Sequence, residues 1–216
     1  MRINVIAIDG PTASGKGTLA RRLAQALGYA HMDTGALYRA VGLQVLRAGG
    51  DPSCEEDALA GCKALAEDLS VLSDPALREE ASGEAASKAA VFQSVRDFLL
   101  HMQRDFARNP GQGYKGAVLD GRDVGTVICP DALLKLYITA SDEIRAQRRM
   151  KELHSKGINV TKGAVLEDMR ARDARDKARE AAPLRIADDA VVIDTSALDA
   201  DQVFETALDY AKKALA

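Results

Sequence analysis

The chain has 216 residues, of which 47% are hydrophobic and 28% charged, with a net charge of −3. That is a globular composition with length for one good core, and it argues against a large basic face for nucleic acid. No apolar run approaches the roughly 20 residues of a membrane-spanning helix. Cys54, Cys62 and Cys129 lack metal-like spacing and read as reduced thiols, and no signal-peptide pattern opens the chain, so a cytoplasmic protein is expected.

The first predicted element, Ile3–Asp9, is almost continuously apolar, as a parallel strand covered on both faces would be. It runs into Gly10-Pro11-Thr12-Ala13-Ser14-Gly15-Lys16-Gly17-Thr18, which opens a helical pattern through Leu27 that Gly28 stops. Strand, glycine-bounded turn, lysine and helix is the phosphate-binding P-loop arrangement. A turn this tight aims backbone N–H groups at a phosphate, the helix N-terminus adds positive dipole, and Lys16 supplies a mobile charge. Gly17 stands where a hydroxyl-bearing Mg2+ ligand is usual, so the ion is expected to be held mainly through phosphates and water, without a dedicated protein metal site.

Tyr29–Met32 reads as extended. Asp33-Thr34-Gly35-Ala36-Leu37-Tyr38-Arg39 follows, with Thr34 as the expected cap of a helix carrying Leu37, Val41 and Val45. Arg39 alone would pass for a surface charge. Ser53-Cys54-Glu55-Glu56 has the pattern of a capping box for a helix to about Glu67, and Leu69–Leu72 reads as a short strand. Asp74-Pro75 restarts a helical segment that Gly83 is expected to interrupt. One long helix is predicted from Glu84 to Arg108, with Phe92, Val95, Leu99, Met102 and Phe106 as its buried stripe and Ser87 and Arg96 off it.

Ala117–Leu119 is a short strand that enters the polar turn Asp120-Gly121-Arg122-Asp123-Val124-Gly125-Thr126. Ligands of open parallel sheets bind at the carboxyl ends of strands, which makes this turn a second candidate site. Leu133–Ile138 is another buried strand. Ser141 is expected to cap a helix with Arg145, Arg148 and Arg149 on one face, closed by Gly157. A second helix from about Thr161 to Arg179 stacks Arg172, Asp176 and Arg179. From Ser141 to Arg179 there are 11 Lys/Arg and 7 Asp/Glu, a local balance of +4 against −7 for the remainder. This fits either a hairpin that folds over an anionic ligand or a solvated one. Pro183 is expected to end the hairpin, Ala190–Ile193 is the last strand and Ala200–Leu215 the closing helix. His31, His101 and His154 fall in no nucleophile or zinc signature and read as structural or solvated. The alternation predicts a three-layer α/β domain with a central parallel sheet.

Taken together, GPTASGKGT at 10–18, DTGALYR at 33–39, DGRDVGTVICPDA at 120–132 and RDARDKAREAAPL at 172–184 resemble the bacterial cytidylate kinases over nearly the whole chain. The resemblance implies a monomeric P-loop kinase with a five-stranded parallel sheet. Its core would be 1–33, 109–141 and 181–216, its monophosphate-binding region 34–108 and its lid 142–180. It implies phosphoryl transfer from ATP, with Mg2+, to CMP or dCMP. By the same resemblance Gly10 to Thr18 wrap the ATP phosphates, and Lys16, Arg122 and Arg179 are catalytic. Arg39, Arg122 and Arg179 clamp phosphates, Ser87, Arg96 and Asp123 read cytosine, Arg172 and Asp176 contact ribose, and Thr34 keeps the family's hydroxyl in the acceptor site. The β-rich insertion common in bacterial members is replaced by a shorter stretch, Leu69 to Gly83. On residues alone, a kinase for another small acceptor and a nucleotide-dependent switch remain alternatives. A switch has no evident need for the second set of phosphate-facing arginines.

Overall fold

The computed structural model describes residues 2–216. In chain order the elements are β1 (Ile3–Asp9), α1 (Lys16–Leu27), β2 (Ala30–Asp33), α2 (Thr34–Arg47), α3 (Glu55–Glu67), α4 (Glu80–Ala89), α5 (Gln93–Arg108), β3 (Ala117–Gly121), β4 (Ala132–Thr139), α6 (Asp142–Ser155), α7 (Lys162–Ala178), β5 (Val191–Asp194) and α8 (Ala200–Leu215). The chain divides into two compact units. One holds Met1–Met32 and Ala107–Ala216, the other Asp33–Phe106.

The first unit is built on a five-stranded sheet in the order β2-β3-β1-β4-β5, flanked by helices. β1 pairs in parallel with β3 and β4, and β4 with β5. β1 is central, so its apolar run is buried on both faces, with Val5 through Ile8 at most 1% exposed. Ile6, Ile8, Val118, Leu136 and Ile138 pack with Leu19 and Leu23 of α1 and with Val203, Ala207 and Ala211 of α8. The register sets Asp9 beside Gly121 of β3 and Tyr137 of β4. The loop after β1 and the turn after β3 thus leave the sheet at the same edge, where open α/β sheets bind ligands.

The second unit is helical. Two glycines let α2 approach its neighbours closely. A Cβ on Gly42 would stand 2.7 Å from the Ala85 Cβ in α4, and one on Gly61 of α3 would stand 2.7 Å from the Val41 carbonyl oxygen of α2. Leu69–Ser73 is a 3-10 turn, not a strand, started by Asp68 accepting the Ser70 N–H. The predicted long helix is two, α4 and α5, and Gly83 lies inside α4. Val95 and Leu99 are buried as expected, whereas Phe92, Met102 and Phe106 are only half-buried and Arg96 is buried. α3 has Cys54 as its N-cap, without a side-chain capping bond. α2 begins at Thr34 itself, which is buried in the first turn, and Asp33 is the residue at the cap position.

Candidate active site

The phosphate loop departs from β1 at Gly10, where a Cβ would fall 2.1 Å from the Ile138 carbonyl oxygen of β4. Only glycine passes that close to a neighbouring strand. Ala13 sits at φ 58° and Gly15, at the N-cap of α1, at φ 92°. These turns wrap the loop around the start of α1. Lys16 is the first residue of that helix, and its Nζ lies over the loop, donating to the Pro11 carbonyl at 3.4 Å. The Ser14 hydroxyl is buried and has no hydrogen-bond partner among the described residues.

Beside the loop, Asp120 is buried at the penultimate position of β3. A Cβ on Gly17 would be 3.5 Å from Asp120 Oδ2, so a carboxylate stands close to where the usual hydroxyl is missing. Its Oδ1 lies 2.8 Å from His31 Nε2. Asp9 is likewise buried and accepts the N–H groups of Val124 and Gly125, both at 2.8 Å. It thereby pins the wide helical turn Val124–Ile128 that follows Arg122 and Asp123. Burial pushes the Asp9 carboxyl up to about 6, against the opposing pull of the Gly125 and Val124 N–H groups.

The arginine side of the site converges on the same loop. Arg122 Nε donates to Asp176 Oδ2 at 2.8 Å, and its Nη2 donates to the Thr12 hydroxyl at 3.2 Å. Arg179 donates to the other oxygen of Asp176. Asp176 thus bridges two of the three predicted catalytic residues. Burial would push its carboxyl up, but the charges of Arg122 and Arg179 hold it below the ordinary range. Burial acts in the opposite sense on Arg122, and the adjacent Asp176 carboxylate outweighs it and holds the guanidinium charged. Arg172 is buried and paired with Asp168. Asp123 is buried at the start of the wide turn, its carbonyl accepting from Val127 and Ile128.

α6 and α7 carry these groups because their ends are well marked. Ser141 caps α6 by accepting the Ile144 N–H, Gly157 turns the chain at φ 78°, and Thr161 caps α7 by accepting the Ala164 N–H. Arg148 of α6 reaches the Thr195 hydroxyl and carbonyl, each at 2.8 Å. It borders a cleft of about 310 Å³ lined by Ser14, Gly15, Thr18 and Leu19 of the loop and α1, and by Leu198, Ala200 and Val203 around the start of α8.

The remaining predicted residues lie in the second unit. Arg39 donates to the Leu77 carbonyl at 3.1 Å. Arg96 is 6% exposed, lies 5.7 Å from the centre of the Tyr38 ring and donates to the Ala90 carbonyl at 3.4 Å. The Ser87 hydroxyl is buried and has no hydrogen-bond partner among the described residues. Sequence reasoning gave no role to Asp9, Asp173 or Tyr38, marked Asp120 only as part of a charged turn, and read His31 as structural or solvated. Among the described residues no group of three His, Cys, Asp or Glu could hold a metal ion, and no helix is long and apolar enough to cross a membrane.

A family model described as cytidylate kinase matches residues 6–213. A cytidylate kinase of Rhodospirillum rubrum is 55% identical over 205 residues, 95% of each chain. One of Paramagnetospirillum magneticum is 55% identical over 204 residues, 94% of this chain and 95% of the relative. Among solved structures, an uncharacterized protein from Eubacterium ventriosum aligns with a TM-score of 0.57 at 14% identity, covering 97% of this chain and 98% of that one. TT1252 from Thermus thermophilus aligns with a TM-score of 0.51 at 18% identity over the whole of both chains. At such identities these structures speak to the fold alone.

Proposed function

The chain belongs to the cytidylate kinase family, and from that premise we propose how its residues divide the work. The reaction is transfer of the γ-phosphoryl group of ATP to CMP or dCMP, giving ADP and CDP or dCDP.

Gly10 to Thr18 wrap the donor's phosphates, and Lys16 follows the γ-group as it transfers. The purine of the donor lies in the cleft beside Arg148. Arg122 and Arg179 stabilise the equatorial oxygens of the transferring group. Transfer through a loose transition state needs alignment and charge neutralisation and no protein nucleophile. A planar guanidinium grips two phosphate oxygens at once. One observation carries this reading: Arg122 and Arg179 are gathered on one carboxylate while Arg122 also touches the loop at Thr12. Two guanidinium groups held together beside a phosphate loop are fixed donors, and donors fixed in advance are worth most in a dry site.

Thr34, Arg39, Ser87 and Arg96 take the acceptor nucleotide, Asp123 reads its base, and Arg172 and Asp176 take its ribose. Cytosine offers an amine donor and two ring acceptors, which suit the Asp123 carboxylate and the Arg96 guanidinium. The buried Ser87 hydroxyl is a polar group for which a ligand would supply the partner. Mg2+ fits this donor set as an ion held chiefly by nucleotide phosphates and water, because Asp120 is the carboxylate beside Gly17 and can accept from bound waters. The ion would neutralise charge on the transferring phosphates. The enzyme works as a cytoplasmic monomer on small nucleotides, in keeping with free thiols at all three cysteines.

The test is a panel of acceptors with ATP: CMP, dCMP, UMP and AMP, followed as ADP formation. Turnover of CMP and dCMP well above UMP is expected. Equal rates with UMP would remove the base-reading role of Asp123.

A further inference from the structure

Thr12 lies inside the phosphate loop, yet all three of its polar groups are held from outside the loop. Its N–H donates to Asp173 Oδ1 at 3.1 Å, its carbonyl accepts from Arg145 Nη1 at 2.9 Å, and its hydroxyl accepts from Arg122. The same Arg145 nitrogen pairs with Asp173 Oδ2 at 2.5 Å. Thr12 N–H, Asp173, Arg145 and the Thr12 carbonyl therefore form a closed ring. α6 contributes one side of it and α7 the other.

The pair is shielded, with Arg145 at 5% and Asp173 at 6% exposure, so salt screens it little. Asp142 accepts from the other arm of Arg145 at 2.6 Å and from Arg170 Nε at 2.9 Å, which fixes the plane of the guanidinium. Buried ion pairs are poor sources of stability. The two helices also have an apolar seam of their own in Ala146, Leu153, Val165 and Met169. Joining α6 to α7 does not require an ion pair aimed at the phosphate loop.

We propose that Asp173 and Arg145 are positioning residues, which seat the arginine hairpin on the phosphate loop through the backbone of Thr12. Neither touches the reacting atoms. They fix where Arg172 and Arg179 stand relative to the triphosphate and how completely water is kept from it. Because the grip is on backbone groups, it works whatever side chain Thr12 carries. The proposal rests on the reading of the loop as the ATP site.

The test uses the full-length chain as wild type, Asp173→Asn, Asp173→Ala, Arg145→Ala and the double variant Asp173→Ala/Arg145→Ala. Four quantities are read: KM for ATP, kcat with CMP, phosphate release from ATP without acceptor, and melting temperature. In the acceptor-free reaction water takes the γ-phosphoryl group, giving ADP and inorganic phosphate. Loss of a hydrogen bond to a charged group predicts a rise of about tenfold to a hundredfold in KM for ATP with Asp173→Ala. The ratio of hydrolysis to transfer should rise with it. Asp173→Asn keeps an oxygen for the Thr12 N–H and should lie between Asp173→Ala and wild type. The double variant should be no worse than the poorer single, since one ring is broken in each. A lowered melting temperature with wild-type KM and an unchanged hydrolysis ratio overturns the proposal, as do losses that multiply in the double variant. Should Asp173→Ala fail to fold, Asp173→Asn decides by the same two readouts. A wild-type chain that binds no ATP analogue overturns the kinase reading together with this proposal, whereas a wild type that binds and transfers normally while Asp173→Ala matches it overturns this proposal alone.

Discussion

Replacing Asp176 by Asn asks whether Arg122 and Arg179 form an anion site for which the Asp176 carboxylate competes. The substitution keeps size and one acceptor oxygen but removes the charge that both arginines share. Breaking a buried ion pair from one side costs about 3–5 kcal/mol. The Arg122 side chain is 23% exposed and keeps bonds to Thr12 and Gly121, so the lower end, about 3 kcal/mol, is expected. In a chain of this length that corresponds to a fall in melting temperature of about 6–12 °C. Inorganic pyrophosphate should recover more of this in the variant than it adds to wild type, because in wild type it must displace a carboxylate already in place. The assay is thermal unfolding of both chains with and without pyrophosphate at constant ionic strength. The sign with pH is also fixed. A carboxyl held below its ordinary value of 3.8 stabilises the fold above that pH and loses its contribution as the pH falls further. The gap between the two chains should therefore be full at neutral pH and shrink in strong acid. A variant as stable as wild type, or a destabilised one with no larger response to pyrophosphate, would refute the reasoning.

Three further outcomes are expected. Lys16→Ala should lower kcat about 100- to 1,000-fold while changing KM for CMP much less, as for loss of a donor used in the transition state; full turnover in steady-state assays would remove the loop from the chemistry. Asp123→Asn should narrow the preference for CMP over UMP by about tenfold or more, since a buried mispaired polar group costs about 1–3 kcal/mol; the ratio of kcat/KM values checks it. Asp9 should make the fold more stable in mild acid than at neutral pH. Its carboxyl stands at about 6 against an ordinary 3.8, so its contribution is full below 3.8 and is lost as the pH rises through 6. The gap corresponds to about 3 kcal/mol. Roughly half of it, about 1.4 kcal/mol, falls between pH 5 and pH 7.5, and urea unfolding at those two values should show that loss in wild type and a smaller one in Asp9→Asn.

Much of the fold was legible because its signals are local. Gly28 at φ 67° stops α1, Ser141 and Thr161 cap α6 and α7, and Asp199 and Gln202 form a capping box on α8. The break between α4 and α5 has no such signal. No glycine or proline marks Ala90 to Phe92, and the apolar spacing runs on through the corner. Leu69–Leu72 is short enough to read as either strand or turn, and the Asp68 carboxylate on the Ser70 N–H decides for the turn. The phosphate loop was readable residue by residue, since its chemistry is packed into nine consecutive positions. Its partners were not. Asp173 and Thr12 are 161 positions apart, and Asp120 and His31 are 89 apart. No local period reports such a pairing. Arg96 shows the same limit, because helical spacing puts it off the apolar stripe while the Tyr38 ring beside it makes a buried guanidinium tolerable.

The charge pattern takes on a definite meaning once the partners are known. The hairpin's surplus of four positive charges suits either a solvated surface or an anion site. Its carboxylates are not scattered: Asp168 holds Arg172, Asp173 holds Arg145, and Asp176 holds Arg179 together with Arg122 from the sheet edge. Arginines gathered without partners would repel one another and resist burial. Gathered on carboxylates, they can be fixed and kept dry. On the proposed roles, a phosphate group that reaches Arg122 and Arg179 exchanges the Asp176 carboxylate for another anionic partner, while the Asp173–Arg145 pair stays in place. Such an exchange yields less net affinity than filling an empty basic pocket. It retains what catalysis requires, since donors already in place need no reorganisation when charge shifts in the transition state. On the proposed roles, the acids of the hairpin serve catalysis as much as its arginines do.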